Sequence, residues 1–344
     1  MNIDYLIIGQ GLAGSLLAWE LIQRNKKVII VDDAKENASL IAAGLINPVT
    51  GMRFVKSTDV DHLLPAAINY YQKLSDYFQQ TFYVEKPMLR ILTSQNQLQA
   101  SQKRLRQAEY QDYLEGIIAS SPFIKTSFGI VVQKQTGYLL TRPLLNALKT
   151  YFNDSNVYVK AAIKYSDIVF TPTLQWKEFK PSQIIFCEGH SATNNPWFSW
   201  LPFQPVKGEI ITANTSIKLP QNILNYGHWF IPLDSHQFRT GATFDRESLD
   251  SNTSGQAKVT LVKSLHQVCP DIHIDNIVAQ QAGIRPTTLD KQPFIGIHPA
   301  HSELAIFNGF GAKGSLQIPC SCQYFADHLL HSSSIPVHTD ILRF

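Results

Sequence analysis

The N-terminal residues alternate between apolar and polar stretches in the order of a strand, a helix and a second strand. Tyr5–Ile8 is an apolar run that is too short for a helix and is typical of a buried parallel strand. The next stretch, Ala13–Arg24, tolerates helical geometry, and Asn25 breaks it. Val28–Val31 is a second apolar run. The pattern therefore predicts a strand–helix–strand unit at the start of the chain.

The same periodicities predict the remaining elements. Helices are expected at residues 63–82, 95–111, 256–269 and 314–330, and another is expected to follow Thr141, whose hydroxyl is a candidate N-cap. Strands are expected at residues 82–93, 128–133, 157–163, 167–171, 183–187 and 304–308. From Pro205 onward, short alternating strands at 208–212, 229–232 and 237–242 predict an antiparallel sheet. We expect an α/β fold with a Rossmann-like lobe and a second, mainly antiparallel lobe.

Length and composition set further bounds. The chain has 344 residues, more than the roughly 250–300 at which a single core usually divides, so two lobes are expected. With 44% hydrophobic and 17% charged residues, the composition is that of a globular enzyme and excludes a disordered chain. A net charge of +3 is too small to indicate a nucleic-acid partner by itself.

No stretch approaches the ~20 apolar residues needed to cross a bilayer, so no membrane partner is expected. The first strand begins within a few residues of Met1, which leaves no room for a signal peptide and predicts a cytoplasmic location. The four cysteines lack a metal-binding spacing. We expect them to be free thiols, and we expect no metal site.

A glycine motif joins the first strand to the first helix. Gly9, Gly11 and Gly14 have the spacing G-x-G-x-x-G. The first allows a tight turn, the second lets a diphosphate approach the backbone, and the third lets the helix lie close to the strand. The helix N-terminus then presents N–H groups to the anion. Asp32 follows the second strand, where it can accept hydrogen bonds from ribose hydroxyls. The unit predicts a dinucleotide site, but it does not distinguish NAD from FAD.

A second glycine-rich segment, Gly309–Gly314, lies between a strand and the last helix. It also has the spacing G-x-G-x-x-G, but the chain ends before another strand and acid can follow, so a second nucleotide site is not expected. Backbone N–H groups near Gly314 are instead expected to stabilise negative charge at the pyrimidine end of a reduced flavin. NAD has no such requirement.

Taken in this order, the segments resemble the D-amino-acid oxidase superfamily of flavoproteins, which includes glycine oxidase and sarcosine oxidase. The resemblance covers nearly the whole chain. The segments that carry it are the N-terminal motif, Ala42–Ile46, Cys187–Gly189, Lys207–Glu209, Gly283–Pro286 and Gly309–Gly314. The segment Gly44–Gly51 is also similar to the FAD domain of a bifunctional enzyme that modifies the wobble uridine of tRNA.

The resemblance implies one FAD, held non-covalently because Gly283 stands where sarcosine oxidases carry the cysteine that bonds to the flavin. It implies an FAD-binding domain of residues 1–76, 134–204 and 282–344, and a substrate domain of residues 77–133 and 205–281. The expected cofactor-binding residues are Gly9, Gly11, Leu12, Ala13, Gly14, Asp32, Asp33, Ser39, Ala42, Ala43, Gly44, Leu45, Ile163, Glu188, Gly189, Gly309, Gly311, Ala312, Lys313 and Gly314.

Within the resemblance, Arg285 matches the arginine that anchors a substrate carboxylate in the amino-acid oxidases. A guanidinium suits this role because it holds a carboxylate with two parallel hydrogen bonds. Tyr226 and His228, together with Phe230, share one face of a strand by period two, and that face is expected to line the substrate pocket.

These expectations describe an FAD-dependent oxidoreductase that oxidises the C–N bond of a small amine or amino acid by hydride transfer to flavin N5. Dioxygen or another electron acceptor would reoxidise the flavin. One alternative is an oxidase acting on an aminomethyl side chain of tRNA wobble uridine, for which Lys103, Arg104 and Arg106 provide a small basic surface. The other alternative is a non-catalytic flavoprotein subunit that requires a partner.

Overall fold

The protein, described by a computed structural model that covers all 344 residues, is built around two large β-sheets flanked by seven α-helices. The helices are α1 (Leu12–Gln23), α2 (Ala38–Ile41), α3 (Val60–Phe78), α4 (Gln95–Leu105), α5 (Thr141–Asp154), α6 (Gly255–Val268) and α7 (Gly314–His331). None of them is both long enough and apolar enough to span a membrane.

The strands, most of them short, fall into the two large sheets and three small ones. They are β1 (Asn2–Ile8), β2 (Val28–Asp32), β3 (Leu45–Ile46), β4 (Val49–Thr50), β5 (Val55–Lys56), β6 (Tyr83–Glu85), β7 (Met88–Ile91), β8 (Leu114–Ile118), β9 (Ile130–Gln133), β10 (Gly137–Leu139), β11 (Tyr158–Lys160), β12 (Ile168–Val169), β13 (Gln175–Trp176), β14 (Lys180–Phe186), β15 (Val206–Asn214), β16 (Ile223–Asn225), β17 (Trp229–Pro232), β18 (Gln237–Gly241), β19 (Asn276–Arg285), β20 (Phe294–His298) and β21 (His301–Asn308).

The first large sheet has the order β11-β2-β1-β14-β21-β20 and is parallel except for its last strand, β20, which is antiparallel to β21. Its central strands are apolar on both faces, so both faces need covering. Helices α1, α5 and α7 pack on one side, and a second apolar core that includes Trp176 and Phe198 covers the other. The predicted Rossmann-like lobe is confirmed.

The second large sheet has the order β19-β15-β18-β17-β16-β7-β9-β8, and every pair in it is antiparallel except β16 with β7. One face packs against α6 through a core that includes Phe230, Phe238 and Leu265. The other face turns toward the first lobe, where Ile231 and Trp229 pack with Ala43. The predicted combination of a parallel and a mainly antiparallel sheet is confirmed.

The two sheets draw on different parts of the chain. Strands of the parallel sheet lie within residues 2–32, 158–186 and 294–308, and strands of the second sheet lie within residues 88–133 and 206–285. The last strand of the second sheet, β19, crosses residue 282, where we placed a domain boundary. The domain boundaries themselves stay a prediction.

Several predicted elements have different limits in the structure. Helix α3 begins three residues before Leu63 and ends at Phe78, where Gln79 adopts a left-handed conformation. The strand predicted at 82–93 divides into β6 and β7 because Pro87 cannot donate a ladder hydrogen bond. Thr141 is the first residue of α5 and not its cap, since its hydroxyl donates to the Ala42 carbonyl at 3.2 Å.

Candidate functional site

The candidate site lies at the edge of the parallel sheet where the strands end. Ile8 of β1 pairs with Phe186 of β14, which in turn pairs with Ile306 of β21. Because parallel strands present their carboxyl ends at the same edge, the segments after these strands converge. They are the predicted Gly9 turn, the Glu188 segment and the Gly309 loop. Strands β1 and β21 are two spacings apart, roughly 10 Å.

The glycines of the N-terminal turn are required by close contacts. Gly9 has φ of +104°, and a Cβ there would lie 2.5 Å from the Cys187 carbonyl oxygen. A Cβ on Gly14 would lie 1.9 Å from the Gly9 carbonyl oxygen. The turn therefore packs directly on β14, and α1 packs directly on the turn, as the motif predicts.

The N-terminus of helix α1 presents free hydrogen-bond donors at this edge. Gly11 is its N-cap and offers no side-chain oxygen to the first turn. The Leu12 N–H donates to the Ser39 hydroxyl at 3.0 Å, whereas the N–H groups of Ala13 and Gly14 have no acceptor within the protein. Free N–H groups at the positive end of a helix dipole fit a diphosphate.

Asp32 lies at the end of β2 beside this turn. Its carboxylate accepts hydrogen bonds from the backbone N–H groups of Gln10, at 2.8 Å, and Ala34, at 2.7 Å. Each oxygen keeps a further lone pair for a ribose hydroxyl. Asp33 instead forms an ion pair with exposed Lys35 at 3.0 Å. Ile163, in the loop after β11, is partly buried against the second apolar core.

Glu188 follows β14 beside the Gly9 turn, and its Cα would lie 3.5 Å from a Cβ on Gly9. Its carboxyl accepts a hydrogen bond from the Tyr165 hydroxyl at 2.9 Å and another from Asn195 Nδ2 at 2.8 Å. Burial raises the pKa of Glu188 to about 7, and the two hydrogen bonds only partly oppose that rise. Gly189 follows with φ of +59° and open space around its Cα.

The segment Ala42–Leu45 connects α2 to the interface between the lobes. Gly44 has φ of +69°, and a Cβ there would lie 2.0 Å from the Leu139 carbonyl oxygen. The Leu139 N–H also donates to the Gly44 carbonyl at 2.9 Å. Ser39, in α2, is held by the Asn37 cap that precedes it. Gly44 therefore packs directly against β10.

The C-terminal loop brings a second helix N-terminus to the same edge. Gly309 and Gly311 have φ of +83° and +53°, and Asn308 Nδ2 donates to the Gly189 carbonyl at 2.9 Å. Ala312 and Lys313 complete the loop, and Gly314 is the first residue of α7. Burial lowers the pKa of Lys313, and nearby Lys291 lowers it further.

Arg285 lies at the end of β19, on the sheet face that turns toward the first lobe. Its Nη2 would be 2.0 Å from a Cβ on Gly208, so the guanidinium covers that glycine. Its only acceptor in the protein is the Thr243 carbonyl, at the long distances of 3.4 and 3.5 Å. No ion pair includes this arginine, and burial lowers its pKa.

Tyr226 and Phe230 lie on the opposite face of that sheet. Both belong to the core under α6, where the Tyr226 hydroxyl pairs with Thr240 Oγ1 at 2.9 Å. His228 lies in the turn before β17. Its Nδ1 lies 3.2 Å from the carbonyl oxygen of Ala242, the residue that follows β18, and burial lowers the pKa of this histidine. The structure therefore does not bring Tyr226 together with Arg285.

The residues of β17 that share a face with Arg285 are Trp229 and Ile231, which sequence analysis missed. The register pairs Trp229 with Gly241 and, through Ile210, with Gln281 of β19. A Cβ on Gly241 would lie 3.0 Å from the Trp229 ring, so the ring covers this glycine. Period two alone left two faces to choose from, and Gly241, opposite Trp229, was the available signal.

Comparison with known proteins identifies the family. The sequence profile of the DAO family, described as FAD dependent oxidoreductase, matches residues 4–328. The chain belongs to the DAO family of FAD-dependent oxidoreductases. Its cofactor is therefore FAD, which the free N–H groups of α1, the glycine contacts and Asp32 all fit.

Relatives of this DAO-family chain include two kinds of protein. Glycine oxidase of Pseudomonas aeruginosa is 24% identical, covering 95% of this chain and 94% of that enzyme. Glycine oxidase of Pseudomonas putida is 31% identical over 136 residues, which is 39% of this chain and 37% of that enzyme. The tRNA 5-methylaminomethyl-2-thiouridine biosynthesis bifunctional protein of Acinetobacter baylyi is 23% identical and covers 98% of this chain. This chain spans only 54% of that bifunctional protein.

Solved structures share the fold of this family member. Glycine oxidase from Geobacillus kaustophilus superposes with a TM-score of 0.82 at 20% identity, covering 98% of this chain and 97% of that one. Iminodiacetate oxidase from Chelativorans sp. BNC1 superposes with a TM-score of 0.81 at 18% identity, covering 98% of both chains.

Proposed function

We propose that this FAD-dependent oxidoreductase oxidises the C–N bond of a small amine or amino acid that carries a carboxylate. The observation that supports this proposal is the Arg285 guanidinium. A partly buried cation without a carboxylate partner leaves most of its donors unsatisfied, which is costly unless a ligand supplies the anion. A substrate carboxylate would satisfy two of these donors at once.

The chain's own residues would then act by orientation. Arg285 fixes one end of the substrate, and Trp229, on the same sheet face, limits its position laterally and excludes water. Holding the reacting carbon in one geometry contributes several kcal/mol, roughly 7–11 at best, without a strong base. When bound, FAD supplies the hydride acceptor. We expect it to be held non-covalently, since Gly283 stands where sarcosine oxidases carry the cysteine that bonds to the flavin.

The rest of the cofactor set is proposed on the same grounds. The α1 N-terminus with Gly11, Leu12 and Ala13 would bind the diphosphate, and Asp32 would bind the ribose. The free N–H groups of Gly314 and Ser315 at the start of α7 support a role at the pyrimidine end of the flavin, beside Lys313.

The substrate is tested by anaerobic mixing of the purified FAD-loaded protein with glycine, N-methylglycine, iminodiacetate and simple amines. We expect the visible flavin absorbance to bleach with a carboxylate-bearing amine. In R285L, the KM for that substrate should rise about 10-fold to 100-fold, because a charge-assisted pair is lost, while FAD stays bound. R106L, which changes an exposed arginine on the surface, is the matched control and should leave the KM unaltered.

An unchanged KM in R285L for every carboxylate substrate would remove this arginine from the site. If neither these amines nor a tRNA that carries an aminomethyl side chain bleaches the flavin, the protein is better described as a flavoprotein subunit that requires a partner.

A second candidate is the oxidation of an aminomethyl side chain on tRNA wobble uridine. It is favoured by the alignment of 98% of this chain with the bifunctional tRNA-modifying relative. The basic surface on α4 is small: Lys103 and Arg106 are exposed, but Arg104 lies over the Tyr110 ring at 5.1 Å. Bleaching by a carboxymethylaminomethyluridine-containing tRNA, with no bleaching by free amino acids, would select this candidate. Salt-dependent tRNA binding would accompany it.

A further inference from the structure

The carboxyl end of α2 is held by a residue from the other lobe. Arg239, in β18, donates from Nη2 to the Ile41 carbonyl at 2.6 Å and from Nη1 to the Ala42 carbonyl at 3.4 Å. The Thr141 hydroxyl of α5 donates to the same Ala42 carbonyl at 3.2 Å. A helix only four residues long cannot satisfy its own last carbonyls, so donors from outside decide where it ends.

This contact lies directly before the segment expected to meet the flavin. Ala43 follows the two bonded carbonyls, and Gly44 is already fixed on β10 by its contacts with Leu139. Arg239 is thus the one side chain of the second sheet that holds the start of the Ala42–Leu45 segment through hydrogen bonds to its backbone. The segment is held from both lobes.

The Arg239 guanidinium has no anionic partner. It takes part in none of the protein's ion pairs, while burial lowers its pKa and neighbouring Arg142 lowers it further. Arg142, by contrast, is paired with Glu36 at the surface. Both arginines line a cavity of about 230 Å³ between the lobes, and Ala43 and Ile231 also line it. The cavity therefore carries an uncompensated positive charge beside Ala43.

We propose that Arg239 is a positioning residue for FAD, which holds the Ala42–Leu45 segment by its backbone carbonyls and makes reduction of the bound cofactor more favourable through its charge. A positive charge in a poorly solvated site stabilises the negative charge that a flavin gains on reduction. The proposal rests on the FAD assignment and not on the identity of the substrate, so it can fail while the proposed function stands.

Two readouts that do not require turnover test this proposal. Apo-protein is titrated with FAD, and quenching of flavin fluorescence gives the dissociation constant. The midpoint potential of the FAD-loaded protein is then measured against reference dyes. R239M should weaken FAD binding about 10-fold to 100-fold, because the start of the Ala42–Leu45 segment loses the donors that hold it and must be ordered at the expense of binding, and it should make the potential more negative.

Two conservative variants separate hydrogen bonding from charge. R239K keeps the charge and should restore the potential, although it cannot reach both carbonyls in the same geometry and should restore affinity only in part. R239Q keeps a donor without the charge and should show the lowered potential. R142M, in which the neighbouring surface-paired arginine is removed, is the matched control and should behave as the unmodified protein in both measurements.

A dissociation constant and a potential for R239M within twofold of those of the unmodified protein would overturn the proposal. So would an equal shift in R142M, because the effect would then belong to the cavity's total charge. If R239M does not fold, R239Q and R239K decide the question, and equal potentials in these two variants would exclude the role of the charge.

Discussion

Single residues at the sheet edge differ in how their charge is compensated. Asp32 accepts hydrogen bonds from two backbone N–H groups and Glu188 accepts from the side chains of Tyr165 and Asn195, so neither carboxyl has a charged partner. Arg285 and Arg239 form no ion pairs. Burial raises the pKa of the Glu188 carboxyl and lowers the pKa of both Arg285 and Arg239. Charges left open in this way mark positions where a cofactor or substrate can supply the missing partner.

Glu188 should make folding stability depend on pH. Its pKa is about 7 in the folded protein and about 4.3 in an unfolded chain, so the unfolded state releases this proton first. The free energy of unfolding should therefore fall as pH rises from about 4.3 to about 7, by at most about 4 kcal/mol from this residue, and level off above.

E188Q should remove that contribution, since a glutamine can accept from Asn195 and donate to Tyr165 without titrating. Urea unfolding of the FAD-loaded protein and of E188Q, each at pH 5 and pH 7.5, measures the difference. We expect E188Q to lose less stability than the unmodified protein across this interval. Equal losses would show that Glu188 is ionised throughout.

At the scale of elements, the packing of α1 on β1 determines whether the cofactor site forms. The helix has no side-chain cap and a glycine at its third position, choices that propensity alone disfavours. They are explained by what the helix must do, because its N-terminus has to approach both an anion and the strand that precedes it. The sequence pattern identified this unit and placed the limits of α1 and β2 to within one residue, whereas β1 begins three residues before the predicted start.

Substituting Gly14 tests this packing. A Cβ there would overlap the Gly9 carbonyl oxygen, so G14A should displace α1 from the turn, at a cost of roughly 1–3 kcal/mol, and should reduce the FAD content of the purified protein. G255A is the matched control: Gly255 is also in the first turn of a helix, but nothing lies within 4 Å of its Cβ position. We expect G255A to retain FAD and its melting temperature. Full FAD content in G14A would contradict the close-packing argument.

For the molecule as a whole, a strand from near each end of the chain contributes to the same sheet, and both strands present their carboxyl ends at the candidate site. β1 and β21 flank β14, and α1 packs against α7. A ligand that binds at this edge should therefore stabilise segments far apart in sequence at the same time. At 100 times its dissociation constant, FAD would add about 2.7 kcal/mol to the stability of the folded state.

Hydrogen exchange of the apo-protein with and without FAD measures this coupling. We expect FAD to slow exchange in both the Gly9–Gly14 turn and the Gly309–Gly314 loop. The outer surface of α6, which packs on the far side of the second sheet, should exchange at the same rate in both states. Protection limited to the N-terminal turn would mean that the C-terminal loop does not contact the cofactor.

The sequence alone was sufficient where the physics is local. The Gly9–Gly14 turn, Asp32 and the parallel strands are specified by residue type and spacing within a short stretch, because a tight turn and a buried strand each need particular side chains. The resemblance extended this to FAD and to Arg285.

Tertiary structure decided whatever depends on contacts between distant residues. Period two could not tell which face of β17 turns toward the other lobe, and only the register with β18 and β19 put Trp229 on the side of Arg285 and Tyr226 in the core. Thr141 is a residue type that commonly caps helices, but its hydroxyl donates to the Ala42 carbonyl instead. The hydrogen bonds from Arg239 to α2 join residues nearly 200 positions apart, and no local pattern encodes them.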